Sequence, residues 1–490
     1  MKRTLLLLAA VPVLAGLAAA GGGLMYLQSE GITPRALAPY VEKRAAGHNE
    51  LITGTGSWIG ATLRELDRGE PAPYALPALK VGAQAAPVPA APSTSGAVKQ
   101  VGSVLELQHA FAQAVAGDVI TLAPGTYRIA APLAATRPGV AGVPIVVRAE
   151  RPGSVVLEVA AGEGIVVMAP HWTFENLELR GACAQAAFCH HAFHVVGKGT
   201  HFVARNNRLV DFNAHFKING NDKGFPDHGL IEGNTLSNTG PRRTESPVTP
   251  IDLVAASDWT IRANLITDFI KAGGDRISYG AFAKGAGART VFERNVVLCE
   301  QKLQGLPGQR VGLSFGGGGT GRQYCRDGRC ITEHEAGTMR ANLVAGCSDA
   351  GIYVNSSAAS RLLENTLLDT AGVQVRYPES SAELDGNVID GPVTSRNGAS
   401  IRLGDNRSSS IAAMYAGLHP QRGLFAAPDA LDLRWDGEPP RRQAQASSVD
   451  LCGVRRPAAP AYGAFEDFSA CLAPAAALSS ATTASSSAAN

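Results

Sequence analysis

The sequence predicts an all-β chain wound as a right-handed, single-stranded parallel β-helix, and three features predict it. An asparagine recurs in one frame along the middle of the chain. Glycine is abundant, at 55 residues, while aromatics make up only 6%. A short amphipathic helix opens the repeated region. Many glycines with few aromatics suit short strands and frequent turns rather than a helical bundle.

The repeat reads Glu175-Asn176-Leu, Asn206-Asn207-Arg, Gly233-Asn234-Thr, Ala263-Asn264-Leu, Arg294-Asn295-Val, Ala341-Asn342-Leu, Glu364-Asn365-Thr and Gly386-Asn387-Val. Successive spacings are 31, 27, 30, 31, 47, 23 and 22. The shortest marks one solenoid coil, and the longer ones are coils carrying insertions. Parallel strands stack about 4.8 Å apart, so each asparagine sits above the last. Its amide can then bond along the stack and hold a left-handed bend. These asparagines are read as structural rather than as ligands. Candidate insertions are Asn221 to Asp227, Pro241 to Pro250, Gln301 to Gly308 and Gly316 to Glu335, and in repeat proteins such insertions collect on one face.

Ahead of the repeat, Ser103 can cap a helix whose apolar face is Leu105, Leu107, Phe111 and Val115. Gly117-Asp118 ends it, Val119 to Leu122 is a strand, and Pro124-Gly125-Thr126-Tyr127 turns the chain. This order resembles the N-terminal cap of the pectate-lyase-like β-helix superfamily, nearest its chondroitinase B and alginate lyase branch. A cap is needed because an open solenoid end exposes apolar core and unpaired strand edges.

Lys2 and Arg3 precede an apolar stretch from Leu5 to Leu27, with Ala18-Ala19-Ala20-Gly21 as a small-residue exit. Residues 1–28 therefore read as a cleaved secretory signal or a retained membrane anchor. Both place the rest outside the cytoplasm, and any membrane contact runs through this segment alone. Residues 29–80 read as a helical stalk, 81–100 as an Ala/Pro/Ser linker, and 101–410 as the β-helix. Residues 411–477 form a C-terminal segment, and 478–490 a disordered tail. Eight cysteines suit disulfides in an oxidising compartment. Neighbour pairing is the expectation: Cys183–Cys189, Cys299–Cys347, Cys325–Cys330 and Cys452–Cys471. With a net charge of +2 and 18% charged residues, the chain gives no case for nucleic-acid binding. A monomer is expected.

The resemblance implies a polysaccharide partner. The Asp clusters with Gly-His-Gly of galacturonan hydrolases and the Asp-Pro-His-Asp of mannuronan epimerases are absent. What remains is β-elimination on a uronate, with the carboxylate neutralised by cationic side chains or Ca²⁺ and a lysine removing the C5 proton. His215-Phe-Lys217-Ile-Asn219 resembles the family's lysine-bearing strand, which makes Lys217 the candidate base and His215 and Asn219 candidate contacts. The arginine expected one coil on is replaced by Val254. Aligning the coils places Lys284 and Asn355 in the row of Val254, and Phe282 and Tyr353 in the row of Asp252. Lys217, Lys284 and Asp252 are therefore the candidate catalytic residues. Arg242, Arg243, Tyr353 and Asn355 join the binding set. The glycine-rich run from Val311 to Gly321 is read as a hinge into the long insertion. His334, between Glu333 and Glu335, is a weak metal candidate because neighbours on a strand point apart. Two other readings stay open: a non-catalytic glycan- or envelope-binding solenoid, and a hydrolase or epimerase using Asp252 and Asp349.

Overall fold

A computed structural model describes residues 21–69, 73–84, 96–317, 319–443 and 449–473. The first twenty residues, much of the expected linker and the Ser/Ala tail lie outside the described residues. From Val98 to Ser408 the chain winds through three parallel sheets of 12, 11 and 10 strands. Each full coil visits them in that order, as in Val203–Arg205, Arg208–Val210 and Ala214–Asn219. The result is a right-handed parallel β-helix. Strand alternation sends one set of side chains inward. Phe193, Phe216, Ile251, Ala281, Leu313 and Ile352 form one such row by register, and all are buried.

The asparagine ladder runs from Asn207 through Asn234, Asn264, Asn295, Asn342, Asn365 and Asn387 to Asn406. In each step the backbone N–H and side-chain Nδ2 of one asparagine both donate to Oδ1 of the next, as at Asn234 to Asn264 (2.9 and 3.1 Å). Asn176 is not a rung. Leu177 holds that row, donating its N–H to Asn207, while Asn176 stacks beside Asn206. From Asn207 to Asn387 the left-handed residue is the one before the rung, as at Gly233, Ala263, Arg294, Ala341 and Glu364. A non-glycine residue held there costs on the order of 1–3 kcal/mol, and two buried hydrogen bonds per rung offset it.

At the N-terminal end, the helix Val104–Ala112 is closed by a capping box. Ser103 Oγ accepts from the Glu106 N–H, and the Glu106 carboxylate accepts from the Gly102 N–H (3.2 and 2.6 Å). Its buried face is Leu107, Ala110, Phe111 and Ala114, while Leu105 and Val115 are exposed. The expected apolar stripe was therefore rotated, because the solenoid end touches only positions spaced i, i+3, i+4 and i+7.

Residues expected to stand as a stalk instead form a hairpin docked on the solenoid. Helices Pro34–Ala45 and Glu50–Arg68 approach so closely that a Cβ on Gly56 would lie 2.1 Å from that of Ala45. Arg35 donates to Asp67 (3.0 Å) and to the Cys347 carbonyl (2.7 Å), and Arg68 to Asp369 (2.9 Å). The start of the expected linker also packs down: Gly82 N–H donates to the Ala263 carbonyl (2.8 Å) and Ala83 N–H to Thr235 (2.9 Å). All four neighbour disulfides are formed.

One outer face of the tube is covered, and a second carries paired charges. On the eleven-stranded sheet, Leu265, Val296, Leu298, Leu343, Leu368 and Val388 lie under the C-terminal segment, against Phe425, Leu433, Phe465 and Phe468. The twelve-stranded sheet carries an alternating charge ladder, Arg148, Glu175, Arg205, Glu232, Arg262, Glu293 and Arg340, in strand register. Neighbours pair along it, as at Arg205–Glu175 (2.7 Å) and Arg262–Glu232 (2.6 Å). All four insertions border the ten-stranded sheet. Pro241 to Pro250 and Gln301 to Gly308 lie where its strands begin, and the other two where they end. Both borders carry insertions, not one, and the outward face between them is the candidate groove.

Candidate functional site

The ten-stranded sheet presents two outward rows along this groove. One runs His194, Lys217, Asp252, Phe282, Ser314, Tyr353 and Gln374. The other holds Asn219, Val254 and Lys284, then Asn355 and Arg376. Lys217, Asp252 and Lys284 thus share one face, as the coil alignment requires.

The cluster is dense in charge. Lys217 Nζ donates to Asp252 Oδ1 at 2.9 Å. On the preceding strand, His194 Nδ1 meets Glu163 at 2.8 Å and its Nε2 meets Asn219 Oδ1 at 2.8 Å. The Asn219 amide is oriented by donating to the Gly220 carbonyl (3.0 Å), so both ring nitrogens face acceptors. The His194 bond holds the Glu163 carboxyl below its usual range. His191 packs edge-on against His194 at 5.4 Å. Burial, then the charge of His194, pushes it down to about 4.

Lys284 occupies a different setting. Its Nζ lies over the Phe282 ring, 4.4 Å from the centroid, and Gly317 lies against its stem. Burial pulls its pKa down from the ordinary lysine value, while Asp252 and Glu333 oppose that shift and Lys217 adds to it. Val254, Phe282, Phe225 and Tyr279 form an apolar platform around it. Arg326, from the long insertion, stacks on Phe225 at 4.5 Å and grips Asp227 with both terminal nitrogens (2.7 and 2.9 Å). The two exit-side insertions therefore form one wall.

Three predicted binding residues stand outside the cluster. Arg242 is buried, donating to Asn213 (3.0 Å) and to the carbonyls of Ala186 and Cys189. It fastens an insertion to the disulfide loop. His215 shares the strand of Lys217 but is fully buried. Its Nε2 bonds the Ser237 carbonyl (3.0 Å), and burial pushes it down to about 4. Arg243 is exposed on the insertion. Asp349 sits on the entry border, its carboxyl pushed up by burial, away from the Lys217–Asp252 pair. The run Val311–Phe315 is not a hinge but a core strand. Gly316 is required where it ends, since a Cβ there would lie 1.8 Å from the Asn355 carbonyl oxygen. His334 points into the tube, stacked on Phe315 at 4.6 Å and bonded to Thr290 (3.0 Å), whereas Glu333 accepts from Thr320 (2.8 Å) beside the groove.

Sequence reasoning missed His191, His194, Glu163, Tyr279 and Arg376. One signal was available for His194: Phe193-His194 repeats the frame of Phe216-Lys217 one coil earlier. Calcium takes six to eight oxygen ligands, several of them carboxylates. Here the Asp252 and Glu163 carboxylates are engaged by Lys217 and His194. Among the described residues no three His, Cys, Asp or Glu side chains converge on a common point. The donor set does not fit a resident Ca²⁺.

Neither a family model nor a curated protein matches the sequence. Among solved structures, the chain is similar to pectate lyase Pel9A, with a TM-score of 0.52 and 15% identity over 76% of this chain and 97% of that one. An alginate lyase from Paenibacillus sp. str. FPU-7 aligns at TM-score 0.34 and 16% identity, covering 63% of this chain and 99% of that one. A rhamnogalacturonan lyase aligns at TM-score 0.41 and 12% identity, covering 62% and 82%. At such identity the likeness to Pel9A speaks to architecture alone, and the architecture is that of the pectate-lyase-like right-handed parallel β-helix.

Proposed function

We propose that the protein is an exported carbohydrate-active enzyme that cleaves a uronate-containing polysaccharide by β-elimination in the groove of the ten-stranded sheet. The observation that carries this reading is Lys284, a half-buried amine with a lowered pKa, set over an aromatic ring beside the Lys217–Asp252 pair. A sugar ring stacks its apolar face on aromatic side chains such as Phe225 and Tyr279. The four disulfides suit an oxidising compartment.

In this reading the base is Lys284 rather than Lys217, the residue expected from the sequence. A proton acceptor must be available as the free amine, and desolvation favours that form of Lys284. Lys217, held in place by its 2.9 Å hydrogen bond to Asp252, is left to contact the substrate carboxylate. The Lys284 amine takes the C5 proton. The electrons of that C–H bond form the C4=C5 double bond as the C4–O bond breaks, and the leaving oxygen collects a proton from solvent. The products are an unsaturated uronate end and a shortened chain.

Incubating the protein with polygalacturonate, alginate and glucuronan tests this. The expected result is ultraviolet absorbance of the new double bond rising in step with reducing ends. Reducing ends without absorbance would point to hydrolysis. Binding without either would point to a non-catalytic glycan-binding solenoid.

A further inference from the structure

Most buried arginines of this protein are matched to carboxylates: Arg35 to Asp67, Arg310 to Glu300 and Arg442 to Glu364. Arg376, only partly buried, is built differently. It lies in the groove row of Asn355, and its Nε donates to Asn397 Oδ1 at 2.9 Å. Its guanidinium stacks on the Tyr377 ring at 5.0 Å, with the Tyr353 side chain on the neighbouring strand beside it. Every one of these partners is neutral, and among the described residues no carboxylate lies within ion-pair distance. The Tyr353 hydroxyl also accepts from Asn355 Nδ2 at 2.7 Å. With that amide donor on its oxygen, the hydroxyl can give its own hydrogen to a ligand. Burial raises the Tyr353 pKa, which keeps that hydrogen in place. A cleft of about 520 Å³ lies next to the pair, lined by Asn355, Ser356 and Tyr377 together with Arg322, Glu333 and Glu379.

A guanidinium held rigid by neutral groups, with a hydroxyl donor beside it, is arranged to receive a planar anion. Arg376 lies three strands beyond Lys284 in the sheet order, on the order of 14 Å at the usual strand spacing. A pyranose ring advances an extended polysaccharide by about one strand spacing, so a chain laid along the groove puts its third sugar past Lys284 over Arg376.

We propose that Arg376 and Tyr353 form a distal carboxylate subsite, so that the substrate is a run of consecutive uronates rather than a neutral chain with an isolated acid. This rests on the groove being where a uronate polymer is cleaved, and it adds a requirement on the sugar three residues from the reacting one. Arg376 binds and positions; it does not touch the reacting atoms.

Calorimetric titration of the full-length protein with trimers and hexamers of galacturonate and mannuronate, and with the methyl-esterified galacturonate hexamer, tests the subsite. The expected result is that wild type gains about tenfold or more in affinity from acidic trimer to acidic hexamer. Arg376→Gln should remove most of that gain and leave the methyl-ester hexamer unchanged, with Arg376→Lys restoring part of it. Equal weakening on acidic and esterified hexamers would assign Arg376 a structural role and overturn the proposal. So would hexamer binding indifferent to Arg376→Gln, and in both cases the cleavage reading would survive on Lys284. If wild type binds no acidic oligomer, the reading and the subsite fall together.

Discussion

The Lys217 ammonium donates to the Asp252 carboxylate across 2.9 Å, from directly opposite positions on neighbouring strands. The same carboxylate acts on Lys284, two residues further along in the next strand, by favouring its charged form. One acid therefore reaches both amines: it holds Lys217 by a hydrogen bond and counters the effect of burial on Lys284.

Asp252→Asn should expose that coupling. Removing the negative charge takes away an influence that raises the Lys284 pKa, so the amine loses its proton at lower pH. The acid limb of the kcat–pH profile should move to lower pH, while maximal activity falls because Lys217 loses its anchor. A limb that stays in place, or moves to higher pH, would separate Asp252 from the base.

Arg242 and Arg243 are adjacent in sequence but should respond oppositely to truncation. Arg242→Ala leaves Asn213 and the carbonyls of Ala186 and Cys189 without their donor. About 1–3 kcal/mol of stability should be lost, with KM unchanged among the molecules that fold. Arg243→Ala, on the exposed insertion, should leave the melting temperature within error. Thermal denaturation of both variants beside steady-state kinetics decides the matter.

The ladder makes a prediction about cooperativity. Asn264→Ala removes the acceptor of the Asn234 N–H and Nδ2 and the donor to Asn295 and the Ile231 carbonyl. The groups left buried and unpaired cost about 1–3 kcal/mol each. Urea unfolding should show a loss of several kcal/mol. Asn176→Ala, off the ladder, should cost less.

Acid should loosen the docked hairpin. Burial alone would raise the Asp369 carboxyl, but Arg68, Arg35 and Arg422 outweigh it and hold it at about 2, against 3.8 for the free group. A depressed folded value means that this stabilisation, about 2 kcal/mol, is full above pH 3.8 and drains away as pH falls towards 2. Proteolysis within residues 34–68 should accelerate across that window. In Asp369→Asn the hairpin should already be looser at neutral pH, and the step should vanish.

The solenoid was legible because its asparagines repeat in sequence, and because one coil length converts position into row. The same arithmetic put Lys284 beside Asp252 correctly. It failed by one residue at Asn176, where the left-handed position precedes the rung and an asparagine there mimics one. Arg242 was misplaced because a cation in an insertion reads as exposed until its carbonyl partners, more than fifty residues away, are known. The hairpin could not be seen to dock because Arg35 and Arg68 reach Cys347, Glu300 and Asp369 across hundreds of residues. Arg376 went unnoticed because the coil bearing it carries no insertion to draw attention.

The most direct test is the initial rate of unsaturated product formation by wild type, Lys284→Ala and Lys217→Ala on the polyuronate that wild type cleaves best, each checked for an unchanged melting temperature. The account predicts a loss of about 100-fold or more for Lys284→Ala, as expected when a general base is removed. Lys217→Ala should keep a measurable rate with a weakened response to the substrate carboxylate. A folded Lys284→Ala variant that turns over at the wild-type rate, or a wild type that yields no unsaturated product from any polyuronate, would contradict it.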